Sequence, residues 1–206
     1  FNPYRYIAGA SYSATISDTV YAGLDARYSR GRDDEPDVGS LRATGGWQIS
    51  PRLNLSGDFG YDRVGGQNRL SAFFSLVFRF DRSSSLRADY DSRGDRKRLT
   101  YQTYHGTGTG AYNFSADIEH SDVGIVTGAN GTLFSNRAEL GFSHFGAFEG
   151  DLGGSTSQRT SLRFGTALAV ADGAFSVGRP IQDSFAIVSP HASLRGTDIL
   201  IEPTGR

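Results

Sequence analysis

The side chains able to do chemistry in this 206-residue chain are sparse and irregularly spaced. Its four histidines, His105, His120, His144 and His191, show no i, i+4 pairing, and there is no cysteine. Zinc-type ligation needs closely spaced His or Cys ligands, so a metal centre is not indicated and each histidine reads as a loop or interface residue. The run Asp33, Asp34, Glu35 and Asp37 offers the oxygen ligands that calcium takes, but it lacks the regular spacing and glycine of an EF-hand loop. A solvated loop accounts for it. Residues 106–110, Gly-Thr-Gly-Thr-Gly, lack the preceding strand, GxGxxG spacing and following helix of a phosphate cradle, and read as a flexible turn. No GxSxG elbow is present to raise a serine nucleophile. On these grounds the chain is expected to be no enzyme and to hold no cofactor.

The charges that recur in a pattern are Asp25, Arg27, Asp58, Arg79, Arg87, Glu139 and Arg163. Each falls in a segment where apolar and polar residues alternate, which is the period of a strand. Over 20–28, Val20, Ala22, Leu24, Ala26 and Tyr28 take one face, while Asp25 and Arg27 take the other. Over 53–61 the apolar set is Leu53, Leu55, Gly57, Phe59 and Tyr61, opposite Asn54, Ser56 and Asp58. The strongest case is 70–80, with Leu70, Ala72, Phe74, Leu76, Phe78 and Phe80 on one face and Ser71, Ser75 and Arg79 on the other. Weaker alternation covers 4–14, 41–49, 86–90, 99–103, 112–118, 124–133, 138–144 and 162–170, making eleven strands in all.

Many of these segments have the ~9 to 11 residues that a tilted strand needs to cross a hydrocarbon layer. Tyr4, Tyr28, Tyr61, Phe80, Tyr90 and Tyr112 lie near strand ends, where barrels place aromatic girdles. The pattern therefore predicts an all-β chain forming part of an antiparallel transmembrane β-barrel. The apolar face would meet outer-membrane lipid, and the seven charges would line a wet pore. A soluble antiparallel sandwich is the alternative, with the same face turned to a core. Its strands average only ~5 to 6 residues, shorter than most of these.

Composition agrees with strands. Glycine (27), phenylalanine (14) and tyrosine (10) are plentiful, a balance suited to β-structure with many turns. The formal net charge of -1, from 21 basic and 22 acidic residues, gives no electrostatic footprint for nucleic acid. The longest nearly apolar run, 72–80, is far short of the ~20 residues of a spanning helix. The chain has no methionine and opens on strand-like sequence without a signal peptide, so it reads as an internal segment. Connections are expected to alternate: tight at 16–19, 50–52, 81–85 and 135–137, long and polar at 30–40, 62–68, 91–98 and 145–158. In outer-membrane barrels the short turns are periplasmic, which would send the last strand, 161–170, down into the periplasm.

One stretch is more specific. From Ala171, Asp172 and Gly173 the chain runs through Phe175 to Gly178, Arg179, Pro180 and Ile181, then Asp183, Ser184, Phe185, Ala186, Ile187 and Val188. Pro180 fixes φ and removes a donor, so strand pairing ends there. Residues 184–188 and 199–201 read as short strands of a new unit. This sequence, a "DG-aromatic" turn followed by "GRPI-x-DSFAIV", resembles the junction between barrel and C-terminal domain in fimbrial usher proteins. The close resemblance covers about thirty residues, with a fainter echo in "SNRAELGFSH" at 135–144.

The resemblance implies that residues 1–178 are the C-terminal portion of an usher barrel and residues 179–206 the incomplete beginning of a periplasmic C-terminal β-sandwich domain. It implies that the junction is formed by Asp172, Gly173, Phe175, Gly178, Arg179, Pro180, Asp183, Ser184 and Phe185. It further implies a bacterial outer-membrane protein that receives periplasmic chaperone–pilin subunit complexes and secretes the assembled fibre, without bond-making chemistry. A passive outer-membrane channel or autotransporter-type barrel is the competing expectation.

Overall fold

The structure, a computed structural model, describes residues 3–106, 108–150, 157–171 and 173–180. Among these residues there is no helix. Eleven strands form one sheet: β1 (Tyr4–Ser17), β2 (Val20–Gly31), β3 (Val38–Ser50), β4 (Leu53–Val64), β5 (Gln67–Arg79), β6 (Ser84–Asp91), β7 (Arg96–Tyr104), β8 (Tyr112–Ser121), β9 (Gly124–Phe134), β10 (Glu139–Phe148) and β11 (Ser157–Gly165). Two short strands, β12 (Ala167–Ala171) and β13 (Ala174–Gly178), make a separate hairpin. The order in the sheet is the order in the chain, and every pairing is antiparallel.

Ten of the eleven segments of period-two alternation are thus neighbouring strands of one sheet, and the eleventh, 162–170, belongs to it only as far as Gly165. Within the described residues the sheet is open: β1 pairs only with β2, and β11 only with β10. It is also a single layer. Among the described residues no large side chain is fully buried, and the only buried apolar side chains are those of Ala111 and Ala169. Leu70 is 78% exposed and Leu162 80%, so nothing in the described residues covers the face they stand on. A second packed layer, which a soluble sandwich requires, is absent from the described residues.

Two expectations about chain direction change. Residues 62–68 are not a long loop: β4 runs on to Val64, and Gly65 and Gly66 alone make the turn into β5, with φ of +56° and +84°. Two successive left-handed residues give the hairpin turn whose twist matches the strands, and glycine adopts them without a Cβ clash. Asp62, Arg63, Gln67 and Asn68 look loop-like by polarity but belong to the ladder. Conversely, β7 and β8 are joined by residues 105–111, on the side expected to have tight turns. The turn between β8 and β9 is only Asp122 and Val123. Short and long connections therefore occur at both ends of the sheet, and connection length gives it no orientation.

The segment 162–170 is likewise not one strand. Pairing with β10 stops at Gly165, and the chain leaves the sheet at Thr166 to form the β12–β13 hairpin, closed around Gly173 at φ +77°. Asp172 and residues 181–206 lie outside the described residues, and with them all but the first two residues of the expected second domain.

Candidate functional site

Register decides which side chains share a face, because residues directly opposite across antiparallel strands point the same way. One cross-strand row runs Val20, Trp47, Leu55, Leu76, Ala88, Leu99 and Ile118 from β2 to β8 without a polar member. The row two residues along contains Ala22, Gly45, Gly57 and Phe74. Farther on, the same face carries Leu133, Leu140 and Phe164. Aromatic contacts knit it sideways. Phe59 and Phe74 meet edge to face at 5.1 Å, Phe78 and Phe80 at 5.0 Å, and Phe80 and Tyr101 at 6.2 Å.

All seven sequence-predicted charges lie on the other face. Asp25 stands opposite Arg42, Arg27 opposite Ser40, Asp58 opposite Thr44 and Arg79 opposite Ser85. Arg87 stands opposite Thr100, Glu139 opposite Gly165 and Arg163 opposite Gly141. The structure brings some of them to partners: Arg163 Nη2 is 2.8 Å from Glu139 Oε1, Arg87 Nε is 2.8 Å from Asp89 Oδ1, and Arg42 Nε is 3.4 Å from Asp58 Oδ2. It does not assemble all seven into one cluster.

Further polar-face charges went unread in the sequence. Arg98 Nη2 lies 2.5 Å from Glu119 Oε2, and Arg96 lies 4.0 Å from both Glu119 and Asp91. Glu119 Oε2 is buried and its contact with Arg98 is an ion pair without hydrogen-bond alignment. Arg93 reaches Asp62 at 3.8 Å and Ser71 Oγ at 3.3 Å. These groups were missed because β6 and β7 alternate clearly only over their middles. Their charged ends read as loop. The signal that could have found them was parity, since Asp89, Asp91, Arg96 and Arg98 continue the phase set by Arg87 and Thr100.

The charged turns are separately organised. Asp81 Oδ1 accepts hydrogen bonds from the Ser83 backbone N–H (2.6 Å), Ser83 Oγ (2.7 Å) and the Ser84 N–H (2.8 Å). The Ser83 hydroxyl, and next its N–H, hold the Asp81 carboxyl below the usual carboxylate range. Ser83 Oγ is 3.3 Å from His105 Nε2. Serine, histidine and acid thus meet, yet Asp81 binds the serine rather than the imidazole. The imidazole is therefore not oriented by the acid as in a catalytic triad, and the carboxylate, bound to the turn's own N–H and hydroxyl donors, serves as a turn cap. In the acidic run 33–37, Asp37 accepts from the Tyr28 hydroxyl (2.7 Å) and the Gly31 N–H (2.9 Å), while Asp33 is 3.7 Å from Arg5. The Tyr28 hydroxyl, and next the Gly31 N–H, lower the Asp37 pKa. Among the described residues no three His, Asp or Glu side chains converge as metal ligands.

Of the junction residues, Gly173, Phe175, Gly178, Arg179 and Pro180 are described, while Asp172, Asp183, Ser184 and Phe185 lie outside the described residues. Gly173 turns the hairpin, and Phe175 in β13 is 64% exposed opposite Val170. The Thr166 hydroxyl is 2.8 Å from the Arg137 carbonyl and 3.1 Å from that of Gly178. Arg179 lies over the Phe134 ring at 5.8 Å. Pro180 sits so close that a Cβ on Gly165 would come within 2.7 Å of its Cγ. Phe134 and Gly165 both flank Glu139 on the polar face, so the chain leaves the sheet by folding toward that face.

What these elements can do is separate two media: one face presents hydrocarbon side chains, the other charged and hydroxyl groups in partial pairs. No protein-family model, curated protein or solved structure matches the chain.

Proposed function

We propose that this chain is part of the wall of an outer-membrane β-barrel, and that the barrel is a fimbrial usher that secretes pilus subunits delivered by periplasmic chaperones. The observation that carries the membrane reading is the apolar row from Val20 to Ile118 and its neighbours, continuous across the strands and uncovered. Contiguous apolar surface on this scale needs a partner, and lipid fits a face whose reverse side is charged. Within the described residues β1 and β11 each have a neighbouring strand on one side only, which supports closure with further strands, since exposed edges are a liability that barrels remove.

The usher part of the proposal is supported by the junction sequence alone. In this reading the polar face lines the pore, and its charges stay hydrated and partly paired, so that a folded subunit slides past without apolar anchoring. Subunit joining exchanges one complementing strand for another, and strand pairing supplies the driving force. Residues 179–206 begin the domain that holds chaperone–pilin complexes.

The test has two arms. Because the chain has no cysteine, single cysteines at Arg87 and Arg163 should react with a membrane-impermeant maleimide in vesicles, and cysteines at Ala88 and Leu162 should be protected. Equal reactivity on both faces would sink the membrane wall. In the second arm, the full chain should capture chaperone–pilin complexes in preference to empty chaperone, and removing residues 179–206 should abolish that preference. A chain that conducts ions but shows no such preference is a passive channel.

A further inference from the structure

At the end of the sheet where β2 turns into β3 and β4 into β5, the apolar face changes character. Tyr28, Gly39, Arg63 and Asn68 form one cross-strand row, and Ala26, Leu41, Tyr61 and Leu70 form the next. Gly39 has no side chain, so Tyr28 and Arg63 stand on either side of a gap. A Cβ added there would be 3.9 Å from its nearest neighbour, Tyr28 Cδ2. The gap opens into a groove of about 980 Å³, floored by Ala8, Ala10 and Ala26 and walled by Tyr28 and Tyr61.

Hydrogen bonds hold both walls at the rim. Tyr28 donates to Asp37 at 2.7 Å and Tyr61 to Asn68 Oδ1 at 3.0 Å. Arg63 is exposed and forms no ion pair among the described residues. The nearby anion, Asp37, already accepts from the Tyr28 hydroxyl and the Gly31 N–H. Arg30, opposite Tyr6, adds positive charge at the same rim. An apolar trough thus ends in a free guanidinium flanked by tyrosines, at the level where a membrane wall meets headgroups.

We propose that this groove binds one anionic phospholipid, with an acyl chain along the alanine floor and the phosphodiester at Arg63. The inference rests on the membrane reading above and goes beyond it by assigning a lipid site. Charge complementarity selects the occupant: a planar guanidinium pairs with phosphate oxygens through two N–H groups, and one unpaired arginine matches one phosphodiester. The volume suits a single ligand, within the ~300–1,000 Å³ of ordinary binding sites.

The test reconstitutes the full chain in vesicles of phosphatidylcholine alone or mixed with phosphatidylglycerol. Lipid retained on the protein is measured by native mass spectrometry, and Trp47 emission reports insertion. Arg63→Gln should reduce the preference for phosphatidylglycerol by about fivefold, the factor for one basic residue at an anionic lipid surface. Gly39→Leu, whose Cβ would meet nothing closer than Tyr28 Cδ2 at 3.9 Å, should reduce retention of both lipids. Trp47 emission that shifts to the blue while Arg63→Gln keeps its preference within twofold overturns the site and leaves the membrane reading standing. Emission that stays at its aqueous position in both vesicles overturns both. A dimer that dissociates on Gly39→Leu assigns the groove to a second copy of the chain and also overturns the lipid site.

Discussion

Exchanging two adjacent residues tests the two-faced wall without changing composition, charge or mass. Arg42 lies mid-strand in β3 on the polar face, opposite Asp25 and 3.4 Å from Asp58. Ala43, the next residue, lies on the apolar face between Leu24 and Phe59. In Arg42→Ala/Ala43→Arg the guanidinium moves from the polar face to the apolar face, which is the lipid side in the membrane proposal. An arginine facing lipid near the bilayer midplane costs about 2–4 kcal/mol. The lost pair with Asp58, whose side chains are 56% and 31% exposed, contributes only about 0.2–1 kcal/mol. Arg42→Ala alone carries the second effect, so the difference between double and single variants isolates the first. At ~1.4 kcal/mol per factor of ten, that difference is roughly thirtyfold to several hundredfold in the folding equilibrium. Urea unfolding of the full chain in lipid vesicles measures it, followed by the emission of Trp47, the chain's one tryptophan, on the apolar face of the same strand. A double variant within ~0.5 kcal/mol of Arg42→Ala, the range of an ordinary surface change, would refute the assignment of faces.

Other outcomes follow from local geometry. Gly66→Val should destabilise the chain by about 1–2 kcal/mol, the cost of a left-handed residue with a side chain, whereas Gly65→Asn should be nearly neutral; urea midpoints distinguish them. Asp37 and Asp81 have lowered folded pKa values, so their stabilising contribution is present above the ordinary carboxylate pKa and lost as pH falls through the folded value. Urea midpoints of Asp81→Ala should therefore decline less steeply than wild type below about pH 4, and parallel curves would refute the role of the cap. Thr166→Val should loosen the β12–β13 hairpin by about 0.5–1.5 kcal/mol, the worth of the one hydrogen bond its hydroxyl proton donates, seen as faster amide exchange in β12 and β13 with β10 unchanged.

Strands were legible where side chains alternate cleanly, and the register of β4 with β5 follows from Leu53–Tyr61 meeting Leu70–Phe78 on one face. Strand ends were not. Polarity alone cannot tell a charged strand end from a loop, and the polar face of this sheet carries charge up to the strand ends. Asp62 and Arg63 pair with Arg69 and Asn68 in the ladder although each is polar, and only the Gly65–Gly66 pair carried the turn signal. The same limit hid Arg96, Arg98 and Glu119. The cross-strand neighbours that turn isolated charges into pairs depend on register, which one strand's sequence does not contain. The groove at Gly39 depends on it as well, since Tyr28, Gly39 and Arg63 are brought into one row only by the pairing of β2, β3 and β4.

The break at Thr166 bears most directly on what the chain does. Read as one strand, 162–170 would have carried the sheet straight on to residues 171–178. Instead Gly165 ends pairing with Glu139, Thr166 is held by the carbonyls of Arg137 and Gly178, and Pro180 closes over Gly165. Glycine is needed there because any Cβ would strike the proline ring. Gly165→Ala should therefore displace Pro180 and Arg179 from the polar face while leaving β10 and β11 paired. Fluorescence of a probe at Phe175 should report greater mobility, with an unchanged urea midpoint for the sheet. If the usher reading holds, the same variant should weaken capture of chaperone–pilin complexes by residues 179–206 without reducing insertion. Loss of insertion together with capture would instead make the hairpin part of the wall, and the junction would have to be sought after Pro180.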